Sequence, residues 1–168
     1  NSDLMTLPSV KTLAAACLTA IFLLGSCAAD DCTDNRNSLP LAAFFDSSSG
    51  EQITLGRLTL YGLHAPGDSM LLDNASGVEE AYMPFRITQH STTFVIDYIE
   101  PDVQDTVTFH YDPVPRFASS ECGAVYDYRM ENISHTCHII DSVTCPGGII
   151  TNTPGQNIRI YLRTSLPQ

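Results

Sequence analysis

Tryptophan is absent from this 168-residue chain and cations are scarce, with Lys and Arg together numbering 8 against 19 Asp and Glu, a formal net charge of −11. Lys11 is the only lysine. A surface so poor in cations cannot displace counterions from a phosphate backbone, which excludes nucleic acid as a partner. Without tryptophan, carbohydrate binding has no positive support, and the tyrosines 61, 98, 111, 126, 128 and 161 are assigned to core or cross-strand packing. Hydrophobic runs are short: the stretch from Leu13 to Leu24 falls well below the roughly 20 residues that cross a bilayer. Catalytic motifs are missing as well. There is no Gly-x-Ser-x-Gly elbow, and the paired carboxylates Glu79/Glu80 and Asp102/Asp105 fall in turn-like segments where acidic residues are ordinary. The chain is therefore expected to be non-enzymatic and to carry no cofactor.

What is present begins at the N-terminus. Lys11, the apolar stretch after it and the small residues before Cys27 follow the layout of a secretory signal. Leu24, Gly25, Ser26 and Cys27 look like the lipobox of a bacterial lipoprotein, which implies cleavage after residue 26 and lipidation of the Cys27 thiol. Two or more acyl chains, each contributing about 0.8 kcal/mol per buried CH₂, hold a protein stably on a membrane. Asp30, Asp31 and Asp34 follow at once, and such an acidic cluster resembles a surface-export signal of Bacteroidetes lipoproteins. The expected organisation is a signal peptide at 1–26, an acidic tether at 27–40 and one domain at 41–168, a usual domain size. The expected location is the outer membrane, on its periplasmic face or at the cell surface.

Of six cysteines, Cys17 leaves with the signal and Cys27 is lipidated. Cys32, Cys122, Cys137 and Cys145 remain, an even number in an exported chain, which favours disulfides. Three pairings are open. The favoured one joins Cys32 to Cys122 and Cys137 to Cys145, the latter needing a turn between its members, because a straight strand would hold them too far apart. His135 and His138 flank Cys137 and are the candidates for a metal site, though a structural zinc site wants four ligands. Asp30, Asp31, Asp34 and Asn35 lack the regular calcium-loop spacing.

Beyond Pro40 the apolar pattern has period two. Ile53–Tyr61, Thr92–Tyr98, Thr106–Tyr111, Ala124–Met130 and Asn157–Leu162 alternate apolar and polar residues, as strands with one buried face do. Further short strands are expected at Ala43–Phe45, Ser69–Leu72, Met83–Ile87, Arg116–Ala118, Ser142–Cys145 and Ile149–Thr151. Turn-forming residues between them, and the lack of a long amphipathic helix, predict an all-β antiparallel β-sandwich, immunoglobulin-like in general architecture, with a small β-barrel as the alternative.

An early LYGL segment, a PF-x-I step before STTFVID, a DTVTFHY strand, SSECGAVYDY and a closing NIRIYL resemble a family of uncharacterised Bacteroidetes lipoproteins, a domain of unknown function. Glu121, Cys122 and Gly123 carry the most specific part of the resemblance. It implies an envelope lipoprotein with a β-rich fold and supplies no catalytic residue. Ser69, Thr106 and Ser142 each follow an aspartate and precede an apolar residue, which resembles the O-glycosylation pattern of that phylum. The functional expectation is an envelope interaction or accessory protein, partnered by the membrane through its lipid and by another envelope protein. The alternative is a small-ligand or metal-binding surface lipoprotein.

Overall fold

Alternating side chains along an extended backbone put one set of residues on each face of a sheet. In the computed structural model, which describes residues 38–64, 69–119 and 123–164, that alternation builds ten strands in two sheets. In chain order they are β1 (Leu41–Asp46), β2 (Leu55–Gly62), β3 (Met70–Val78), β4 (Glu80–Tyr82), β5 (Ser91–Tyr98), β6 (Val103–Ser119), β7 (Gly123–His135), β8 (Ile140–Thr144), β9 (Ile149–Ile150) and β10 (Ile158–Leu162). One sheet has the order β4-β1-β10-β8 and the other β3-β2-β5-β6-β7-β9. The fold is an all-β sandwich.

Phe44, Ile158, Ile160 and Leu162 of the smaller sheet share one core with Leu58, Leu60, Phe94, Ile96, Val107 and Phe109 of the larger. Each of these ten is at most 1% exposed, so both inner faces are sealed. Phe85 stacks on Tyr111 with ring centroids 4.5 Å apart and meets Tyr128 edge-on at 5.3 Å. The two phenols are buried without polar cost. The Tyr111 hydroxyl lies 2.7 Å from Thr92 Oγ1 and accepts from the Arg86 amide at 2.9 Å, while Tyr128 donates to the Phe85 carbonyl at 3.2 Å.

Every pair of neighbouring strands is antiparallel except one. β1 and β10 run parallel, Ala42 facing Ile158 and Asp46 facing Leu162, so the first and last strands of the domain lie side by side. The expected Met83–Ile87 strand does not form: β4 ends at Tyr82 and the chain continues irregularly. Its period-two pattern has another cause. Met83 and Phe85 drop into the core on either side of Pro84, which has no amide to give a ladder. Two expected segments, Thr106–Tyr111 and Arg116–Ala118, are parts of the single 17-residue strand β6. Pro113 and Pro115 are tolerated there because β5 ends opposite His110, leaving β7 as the only pairing neighbour beyond that point.

Ser38 fixes the entry to the domain. Its amide and hydroxyl both donate to the Tyr126 carbonyl, at 3.3 and 2.9 Å. Past β1, the serine run at 47–49 forms a tight turn rather than a linker: the Asp46 carboxylate accepts the amides of Ser48 and Ser49 at 2.9 and 2.7 Å. The Ser48 and Thr164 hydroxyls, and after them the Ser49 amide, hold the Asp46 carboxyl below its ordinary range.

Candidate functional site

β3 is an edge strand of the larger sheet and β4 an edge strand of the smaller one, and the chain passes from one to the other through Glu79. Edge strands carry backbone donors and acceptors unused by their own sheet. Between these two lies a groove of about 400 Å³ lined by Leu41, Leu71, Leu72, Ala81, Tyr82 and Pro84, with Leu39 at its rim. Leu39 is 48% exposed and Tyr82 56%, and Met70 beside Leu71 reaches 56%. Large apolar side chains left open in one neighbourhood mark contact surfaces, whereas singly scattered ones are ordinary.

The groove carries one charge, that of Glu80. Gln52 and Gln156 donate amide hydrogens to its carboxylate, so the charge is fixed in position. Leu71 and Pro84 also wall a smaller hollow of about 190 Å³ that continues past Phe85 to Arg86, Thr92 and Ser69.

The residues singled out in the sequence do not converge on this groove. Cys27, the acidic residues after it, Cys32 and Cys122 lie outside the described residues. The expected bridge between Cys137 and Cys145 is not formed in this structure, where both are free thiols. Between them lie a bend at His138 and Ile139 and the strand β8, whose five residues hold its own ends roughly 13 Å apart. Cys137 is exposed, its sulfur 3.8 Å from His135 Nδ1. Cys145 packs against the core, and burial pushes its thiol pKa up, only partly offset by the amides of Gly148 and Gly147.

His135 and His138 do not face a common point. His135 Nδ1 lies 2.8 Å from the Thr136 carbonyl, and His138 Nδ1 lies 3.3 Å from Asp105. Among the described residues no three His, Cys, Asp or Glu side chains are grouped to hold a metal ion. Of the three O-glycosylation candidates, Ser69 is exposed just before β3, at the mouth of the smaller hollow. Thr106 lies inside β6 and Ser142 inside β8, both half-buried.

Asp105 is the residue that sequence reasoning misplaced. It is not in a turn but within β6, fully buried, opposite Ile96. Its carboxylate accepts the Thr136 hydroxyl at 2.6 Å and the amides of His138, Ile139 and Ile140 at 2.9, 2.7 and 3.0 Å. Burial raises its pKa, but these four donors outweigh burial and leave it below the ordinary carboxylate value. Asp105 thereby holds the β7–β8 connection against β6. The available signal was parity, because 105 belongs to the same alternate set as the buried Val107, Phe109 and Tyr111.

These features define a small all-β sandwich whose open side carries an apolar groove. Residues 57–162 match the family of unknown function DUF6452, and the chain belongs to that family. Neither the curated proteins nor the solved structures searched contain a match.

Proposed function

We propose that this chain is a lipid-anchored accessory protein of the bacterial cell envelope, without catalysis of its own, and that its groove holds an extended segment of a membrane-proximal envelope protein. The observation that carries this reading is the groove between the two edge strands. Its apolar lining favours an apolar segment, and β3 and β4 offer backbone groups to an added strand. Charge narrows the occupant further. Glu80 in the groove and the net charge of −11 favour a segment that also bears Lys or Arg.

Reach supports a partner near the bilayer. If Cys27 carries the lipid, the residues up to Ser38 span at most about 40 Å when fully extended. Ser38 is pinned to β7, and Leu39 beside it is already at the groove.

A photo-cross-linking side chain at Leu39, in the full chain expressed in its own envelope, tests the proposal. A discrete adduct is expected, with a partner segment containing apolar and basic residues. Tyr82→Glu, a surface change that leaves folding intact, and Cys27→Ala should each reduce that adduct about tenfold. The same probe at Ile149, exposed on the opposite edge of the larger sheet, should give none. No adduct, or the same adduct from Ile149, overturns the docking reading. Incorporation of a fatty-acyl label that survives Cys27→Ala overturns the anchor.

A further inference from the structure

A strand at the edge of a sheet spends the backbone groups of alternate residues on its one neighbour and turns the others outward. In β4 the parity is fixed by two bonds to the strand beside it. The Phe44 amide donates to the Glu79 carbonyl at 3.2 Å, and the Met83 amide donates to the Pro40 carbonyl at 2.8 Å. Ala81, opposite Ala42, belongs to the same set. Glu79, Ala81 and Met83 therefore face β1. The amides and carbonyls of Glu80 and Tyr82 point the other way, where β4 has no second neighbour among the described strands. Pro84 is next in the outward set and has no amide, so the open donors end at Tyr82.

The other free edges are less able to take a strand. β6 loses β5 beyond His110, and the Tyr111 amide on that side is taken by the His90 carbonyl at 2.9 Å. Pro113 and Pro115 share the parity of Tyr111, which strips two further donors from that edge. β3 changes register twice against β2, and Asn74 and Gly77 stand at φ values of 46° and 70°. Such irregularity turns an edge away from an incoming strand. On the far side of the sandwich β8 lies against β7, and β9 is two residues long. β4, regularly paired on one side and bordered by the apolar groove on the other, is the edge left open.

Glu80 sets the charge that an occupant needs at one position. Its side chain is exposed, and the Gln52 and Gln156 amides both meet Oε1, leaving Oε2 open to a cation. In an added strand the residue directly opposite Glu80 lies on the same face, with Cβ atoms about 5 Å apart. The residues before and after it turn to the other face, where Leu71 and Leu72 of the larger sheet wall the groove.

We propose that the partner segment adds to β4 as a fifth strand of the smaller sheet, with one Lys or Arg opposite Glu80 and an apolar residue on either side of it packed against Leu71 and Leu72. The outward groups of Glu80 and Tyr82 limit the ladder to about three to five residues of the partner. Strand addition rests on the docking reading above and gives it a register. Backbone bonds supply affinity without regard to sequence, and the alternate side chains supply selection. The occupant is therefore recognised by a short apolar–basic–apolar alternation.

Two measurements test it. In hydrogen exchange of the free full chain, the Glu80 and Tyr82 amides should exchange freely while those of Ala81 and Met83 are protected. Protection of the Tyr82 amide in the free chain overturns strand addition, whatever the variants below do. In the second measurement, the adduct from the Leu39 probe is compared between Tyr82→Ala and Tyr82→Pro. Both lose the ring, but only Tyr82→Pro loses the outward amide, which β1 does not use, so their melting temperatures should agree within about 3 °C. Tyr82→Pro should give about fivefold less adduct than Tyr82→Ala, and Glu80→Gln about threefold less than the native chain. Equal adducts from the two Tyr82 variants overturn strand addition and leave the docking reading standing, whereas no adduct from the native chain overturns both. A cross-linked segment without the apolar–basic–apolar run also overturns strand addition by this partner, as does an adduct of twice the chain's mass, which marks a second copy in the groove.

Discussion

At the scale of single residues, the strongest structural constraint is the Asp105 carboxylate, which holds four donors from the segment Thr136–Ile140. Replacing it with Asn keeps the size but turns one acceptor into a donor that faces backbone amides. Asp105→Asn should destabilise the fold by roughly 2–4 kcal/mol in urea unfolding at neutral pH. The sign of the pH dependence follows from the lowered folded pKa. The stability that ionisation of Asp105 contributes is fully present above the unfolded value near 3.9 and is lost as pH falls through the folded value. The gap between native and Asp105→Asn proteins should therefore narrow as pH falls into the acid range below about 5. A gap constant over that range would show that the carboxylate is not held in its ionised form.

At the scale of elements, β8 lies between two thiols that are unlinked in this structure. Non-reducing peptide mapping of the full chain should recover Cys137 and Cys145 unlinked to each other. Brief alkylation of the folded protein should label exposed Cys137 well before Cys145, whose thiol is half-buried and held in its protonated form. A recovered 137–145 link would mean that β8 rearranges in solution. The β6–β7 hairpin shows how an element can outrun its sequence signal. Proline usually ends a strand, yet β6 continues through Pro113 and Pro115 because it has a single neighbour there.

At the scale of the whole molecule, the parallel pairing of β1 with β10 makes the fold depend on its last strand. β10 sits between β1 and β8 and contributes Ile158, Ile160 and Leu162 to the core. Truncation after Asn157 should abolish the cooperative thermal transition and leave a chain with a largely unfolded circular dichroism spectrum, whereas truncation after Thr164 should keep the transition. Contacts between strands so distant in sequence also imply slow folding, on the millisecond-to-second scale of non-local β proteins.

The sequence by itself determined the class of fold and five of its principal strands, because period-two alternation follows directly from the two-faced geometry of an extended chain. It also carried the membership in a family of unknown function and the expectation of an anchor at Cys27, both local patterns. Only the tertiary structure decided that Asp105 is buried rather than in a turn, that Met83 and Phe85 plug the core instead of pairing, and that β8 separates two cysteines. The groove belongs to that second group. It is walled by residues far apart in the chain, Leu39 and Leu41 with Leu71 and Tyr82, and such a neighbourhood is set by sheet order, which no local periodicity encodes.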